Sequence, residues 1–204
     1  MSLRHAVITI VLFAGVLSGG CVTTQGSQFY TLGVEPAPAP APVPATPSQL
    51  SLSLGPIDLP RYLDRPQIVT RAAGNRLNVD EFNRWGGSLE EEVHRVLAQR
   101  LGGRLGTQRI YSYPSRIVAQ TDYRVALDIR TFDGALGGEV QLDVAWSLID
   151  DRTAAVLEAG RKTYSDTASG PEYSAYTQAL SGLVARLADD LGAVLLEAGK
   201  TGQP

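Results

Sequence analysis

The chain has 204 residues, 44% of them hydrophobic and 19% charged, with a formal net charge of −3 and a single cysteine. That is enough apolar sequence for one packed domain. It is too little basic excess for a nucleic-acid footprint, and one thiol cannot close an intramolecular disulfide.

The N-terminus carries Arg4, then an apolar run from Ala6 to Leu17, then Ser18-Gly19-Gly20-Cys21. A basic start, an apolar stretch of about a dozen residues and small residues before a cut describe a secretory signal. The run falls short of the roughly 20 apolar residues of a membrane-spanning helix. A cysteine directly after the small residues is what a bacterial lipoprotein signal requires, because its thiol takes a diacylglycerol before cleavage. Ser18 stands where that pattern usually has Leu, and Leu17 lies one residue further back. A plain signal peptide cut nearby, leaving a free thiol, is the competing reading. Val22 follows the cysteine, and no Asp suggests inner-membrane retention. The usual sorting rule then places the protein at the periplasmic face of the outer membrane, held by acyl chains on Cys21.

The expected organisation is a signal over 1–20, a lipidated N-terminus with a short strand and a Pro-rich tether over 21–49, one folded domain over 50–198, and a tail over 199–204. Gln28 to Leu32 is aromatic and β-branched enough for an edge strand. Pro36 to Pro47 lacks backbone donors at every second position, which favours polyproline II and a semi-rigid spacer. Leu50, Leu52 and Leu54 alternate with serines, as in a half-buried strand that ends at Gly55-Pro56, with a second element over Ile57 to Pro60. Gln67 to Arg71 and Arg76 to Val79 flank the turn signal Gly74-Asn75 and predict a hairpin.

Ser88 and Glu91 form a capping box for a helix whose Leu89, Val93, Val96, Leu97 and Leu101 share one face, with Gly102-Gly103 expected to stop or fray it. Glu90, Glu91 and Glu92 point around the helix and cannot converge on a metal; solvated charge at the positive end of the dipole is the reading. Alternation over Tyr123 to Arg130 and Val140 to Leu148, with a turn at Asp150-Asp151-Arg152 and a return over Val156 to Tyr164, predicts an antiparallel meander. Asp133 to Gly138 reads as a flexible hairpin tip and not as a phosphate loop, because no Lys-Ser/Thr follows. A helix of about 25 residues is expected to open at Ser169-Gly170-Pro171-Glu172, with Gly199 as its C-cap. The fold class is therefore α+β: a mainly antiparallel sheet with two principal helices packed on it, in a single domain.

Catalytic chemistry is sparse. Beyond the signal there is one histidine, His94, inside the first predicted helix, so neither a Ser-His-Asp triad nor a multi-His metal site is easily built. The paired acids Asp150-Asp151 and Asp189-Asp190 diverge as chain neighbours. No cofactor, no metal and no enzyme activity are expected.

The run from Leu59 to Arg71 (Leu-Pro-Arg-Tyr-Leu-Asp-Arg-Pro-Gln-Ile-Val-Thr-Arg), with Asn75, Leu77, Glu81 to Trp85 and the helix after Ser88, is more specific than any of these patterns. Together with Phe29 to Leu32 it resembles the PqiC (YmbA-type) lipoproteins, the auxiliary lipoproteins of ABC-type transport systems, over essentially the whole mature chain. The Pro36–Pro47 insert is longer than that resemblance predicts. The resemblance implies an outer-membrane subunit of an MCE-type lipid-transport or envelope-integrity system. It implies as partner an MCE-domain protein anchored in the inner membrane, and assembly of this chain into a homo-oligomeric ring. An outer-membrane assembly lipoprotein like the one at the lipopolysaccharide translocon is the alternative.

Leu59-Pro60 and Arg65-Pro66 bias the residues before each proline toward extended backbone, so the segment between them is a shaped loop displaying Arg61, Tyr62, Asp64 and Arg65. Arg and Tyr are frequent interface anchors, which makes this loop the candidate partner-binding surface. The structural alternative packs Tyr62 in the core and pairs Asp64 locally. Trp85 reads as a buried anchor where the helix begins, or else as a lipid contact.

Overall fold

The computed structural model describes residues 26–33, 49–118 and 120–201. Cys21 and the Pro36–Pro47 tether lie outside the described residues. In chain order the elements are β1 (Gln28–Tyr30), β2 (Leu52–Asp58), a single 3₁₀ turn (Arg61–Leu63), β3 (Gln67–Ala72), β4 (Arg76–Trp85), α1 (Leu89–Leu105), β5 (Ile110–Ser112), β6 (Tyr123–Gly134), β7 (Glu139–Asp150), β8 (Ala155–Thr167) and α2 (Tyr173–Thr201). The strands form two sheets, β1-β4-β3 and β5-β2-β6-β7-β8. One buried cluster joins both sheets to both helices, with Trp85, Leu97, Phe132, Leu142, Tyr176 and Leu187 among its members. No helix of the described residues is long and apolar enough to cross a membrane.

The expected α+β class holds, with two helices on sheets. The predicted hairpin is β3–β4, and the predicted meander is β6-β7-β8, all antiparallel. Sheet character differs from expectation in one respect: β1–β4, β2–β5 and β2–β6 are parallel. Alternation reports which face of a strand is covered, and it carries no information about the direction of the neighbour.

Four boundaries moved for identifiable reasons. β2 runs through Gly55-Pro56 with a register shift between Leu54 and Ile57, a bulge where a missing N–H is tolerated. Ser53 in this strand and Ser51 just before it are buried as well: Ser51 donates to Asp122 at 2.6 Å, and Ser53 lies 3.0 Å from the Thr121 hydroxyl that donates to it. α1 continues past Gly102-Gly103 to Leu105, whose side chain extends the buried stripe. It ends at Gly106, whose φ of 65° is the left-handed conformation of a helix cap. α2 begins at Tyr173, a turn later than the Ser169 signal, because Ala168 is tied to Gly138 O at 2.9 Å and the first helical bond runs from Tyr176 N to Glu172 O. At its other end α2 passes Gly199 and reaches Thr201.

The three glutamates opening α1 are not alike. Ser88 Oγ accepts from Glu91 N at 3.1 Å, as the capping signal predicts. Glu92, expected in solvent, instead has a side chain only 12% exposed. It accepts from Leu32 N at 2.9 Å and pairs with Arg95 at 2.6 Å, while Arg95 also donates to Leu32 O. Gly33 N donates to Ser181 Oγ at 2.8 Å. Leu32 itself is buried, so the segment following β1 is clamped against both helices. Glu92→Ala leaves the Leu32 amide without its acceptor and should cost about 1–2 kcal/mol. Hydrogen exchange over residues 28–33 should accelerate more than exchange in β6 or β7.

Candidate functional site

Each proline of the Leu59–Pro66 segment has a structural task. Pro60 O accepts from Leu63 N at 2.9 Å, closing the turn, and Pro66 O accepts from Trp85 N at 2.7 Å, tying the far end of the loop to β4. Leu63 drops into the core with 3% exposure, which leaves Arg61, Asp64 and Arg65 on the surface. Tyr62 turns back, half-buried, and its hydroxyl donates to the carboxylate of Asp133. The four loop residues are therefore not displayed together: three face solvent and the tyrosine is a strut. Trp85 is 5% exposed and belongs to the core, as a buried anchor ahead of α1.

Asp133 holds this arrangement. Its side chain is fully buried at the end of β6, where Arg71 of β3 clasps it through Nε and, at 3.0 Å, through Nη2. The same guanidinium reaches the Tyr62 hydroxyl at 3.4 Å. Burial, reinforced by the neighbouring Asp133, pushes the Tyr62 phenol up to about 12. The clasp joins the loop to both sheets. It was not visible in the sequence, where Asp133 looked like part of an open hairpin tip. A register shift between Ile129 and Thr131 changes the phase of β6 just before it, and no local pattern announces such a shift.

Between the loop and the start of α1 lies an open cleft of about 610 Å³, lined by Asp58, Arg61, Asp64, Arg65 and Glu90 together with Leu59, Pro66 and Gly86-Gly87. None of those five charged side chains forms an ion pair with another described residue. Ion pairs are made elsewhere, as by Arg100 with Asp189 and Arg124 with Asp151. The cleft thus carries two cations and three anions, none of them ion-paired with another described residue.

His94 sits on α1 with Nε2 buried and without a hydrogen-bond partner among the described residues. Burial lowers its pKa below the ordinary imidazole value, against smaller opposing effects of the Tyr111 backbone and Glu90. The fold therefore favours the neutral ring. That contribution is complete above about pH 6.5 and is lost as pH falls below it, because the unfolded chain then binds more protons. His94→Gln should show a smaller drop in Tm between about pH 7 and 5 than the wild type. The described residues contain no group of three or more His, Cys, Asp or Glu placed to hold a metal.

The fold recurs in solved structures. A crystal structure of a Xanthomonas campestris protein superposes with a TM-score of 0.69 at 17% identity, covering 86% of this chain and 98% of that one. Another, of an uncharacterized protein, gives 0.66 at 13% identity, covering 83% of this chain and 99% of the other. At such identities the likeness concerns the fold alone. No curated protein matches the sequence. A family sequence model does match, over residues 30–192, a span that takes in the clamped N-terminal segment, the Tyr62–Asp133–Arg71 clasp and most of α2. On that match the chain belongs to the ABC-type transport auxiliary lipoprotein component family.

Proposed function

We propose that this auxiliary lipoprotein is the outer-membrane subunit of a PqiABC-like MCE system. It is acylated on Cys21 and acts without catalysis, as the docking point for an inner-membrane-anchored MCE-domain protein. The observation that carries this reading is the rigid loop with its unpaired charges. Arg61, Asp64 and Arg65 line a cleft, make no ion pairs with other described residues, and sit on a turn held from behind by Tyr62. Exposed charges without internal partners remain available to a binding partner, and at an interface complementary charge sets register and on-rate. The MCE protein and the ring of copies come from the resemblance; the loop supplies a surface of fitting character.

The test is photo-crosslinking in intact envelopes from position 61 or 65, followed by mass spectrometry of the adduct. The expected product joins this chain to an MCE-domain protein, and Arg61→Glu should abolish it while leaving the thermal unfolding curve in place. Normal association in both Arg61→Glu and Arg65→Glu would remove the loop from the interface. An adduct with a lipopolysaccharide-translocon component would replace the MCE assignment.

A further inference from the structure

The three-stranded sheet shows large apolar side chains to solvent. Phe29 is 67% exposed, Phe82 41%, Leu77 39% and Val79 36%, all on β1 or β4. Register gathers three of them. Gln67, Val69 and Arg71 alternate along β3 and share one face; their partners on β4 are Arg84, Val79 and Leu77, and Phe29 lies beyond Arg84 on β1. Tyr30, of opposite phase, turns inward, its ring 6.0 Å from that of Tyr173. Phe82 projects from a bulge built by Asp80, which accepts from Phe82 N and Asn83 N at 2.8 Å each and is held from α2 by the Tyr173 hydroxyl at 3.0 Å. The display is therefore rigid. The charges around it are Arg71, engaged with Asp133, Arg84, which meets Glu81 at 3.6 Å, and Arg76 at the hairpin end, of opposite phase to Leu77 and without an ion pair to a described residue.

Chain geometry says what this face is near. Gln28 pairs with Asn83 and Tyr30 with Trp85, so the chain enters β1 from the side of the hairpin tip. Six residues lie between Cys21 and Gln28. At no more than about 3.6 Å per residue, an acylated Cys21 lies within roughly 29 Å of Phe29. The Arg61–Pro66 loop is at the opposite end of β4, where Trp85 N meets Pro66 O.

We propose that this face, with Phe29, Leu77, Val79 and Phe82, rests on the lipid bilayer to which Cys21 is anchored, with Arg76 among the lipid phosphates. The inference rests on the acylation of Cys21. An acyl anchor alone holds a protein to a membrane and leaves its orientation free, whereas an apolar patch with a flanking cation adds a second, oriented contact. The sheet then lies against the membrane along the length of β4, from the hairpin end to the strand end beside Phe29.

The test uses the full-length protein, purified from membranes and reconstituted in vesicles of phosphatidylethanolamine and phosphatidylglycerol doped with brominated lipid. A single environment-sensitive fluorophore is attached at Val79→Cys, at Phe82→Cys, or at Ile117→Cys, a position 85% exposed in the segment between β5 and β6. Bromine quenching at 79 and 82 should exceed that at 117 by at least about threefold, with a blue-shifted emission. Equal quenching at all three positions overturns the proposal. So does a shielded label at 79 or 82 that bromine does not quench, which would assign the face to a second copy or another protein. Flotation separates the two levels. Protein that fails to float and keeps a free Cys21 thiol refutes the anchor and this inference with it; protein that floats with an unquenched label at 79 refutes the inference alone.

Discussion

Arg71→Met should lower the unfolding free energy by about 3 kcal/mol, the low end of the range for breaking a buried ion pair. The asymmetry of the pair sets both sign and size. Asp133 has no exposed side-chain surface, whereas Arg71 is 45% exposed. Removing the arginine strands a carboxylate that cannot reach water and keeps only the Tyr62 hydroxyl. Water entering along the vacated guanidinium path relieves part of the penalty, hence the low end. The double variant Arg71→Met/Asp133→Asn should recover at least about 1 kcal/mol, because an amide keeps an acceptor for Tyr62 and removes the charge. Urea unfolding of the two variants checks the order; a double variant less stable than the single would show that the charge is not the source of the loss. Exposed pairs such as Arg130 with Asp128 should cost under about 1 kcal/mol when removed. The clasp variants should also raise hydrogen exchange across residues 61–66, since Tyr62 is the strut behind that turn.

Gly134→Ala is expected to be at least as damaging, and Gly103→Ala should stabilise. Gly134 stands directly opposite Val140 at the end of the β6–β7 ladder, and a Cβ there would overlap the Glu139 carbonyl oxygen and lie 2.5 Å from Val140 Cα. Those are backbone atoms of a turn held by Ala135 N to Glu139 O at 3.0 Å and Gly138 N to Ala135 O at 3.1 Å, so no side chain can swing aside. A loss of about 3 kcal/mol or more follows, at or beyond the usual range for overpacking. Because residue 134 adjoins Asp133, the displaced strand should also open the clasp. Gly134→Ala and Arg71→Met should therefore combine less than additively. Gly103, on the open face of α1, has nothing within 4 Å of a built Cβ. Alanine there removes the backbone-entropy cost of a helical glycine and should add about 0.5–1 kcal/mol. Opposite signs of ΔTm for two Gly→Ala changes in one domain are the readout.

Much of the local architecture was legible because it is written in short intervals. The Ser88–Glu91 cap, the stripe from Leu89 to Leu101, the turn at Gly74-Asn75 and the alternation of β6 and β7 each depend on residues a few positions apart, where backbone geometry imposes a period. Boundaries failed where packing outweighed propensity. Leu105 finds a place in the core and carries α1 across two glycines, and Ala168 is bonded to Gly138, so α2 starts late. The loop from Arg61 to Arg65 was identified as shaped, since prolines restrict their neighbours, but its division into exposed charges and an inward tyrosine was not.

What short-range physics could not encode is which distant groups meet. Glu92 looked like solvated charge because the amide it accepts from, Leu32 N, lies 60 residues away in the chain. Arg71 and Asp133 are 62 residues apart, and nothing in either segment names the other. Strand direction shows the same limit: β2 carries the alternation of any half-buried strand, yet it pairs in parallel with both β5 and β6, and its first four residues are buried alike. Residue order was sufficient for an α+β domain and for its family resemblance, because periods, caps and motifs are properties of neighbouring residues. The clasp, the clamped N-terminal segment and the cleft of unpaired charges exist only once the chain has closed on itself, since charge pairing and burial depend on distances in space that the spacing of residues does not set.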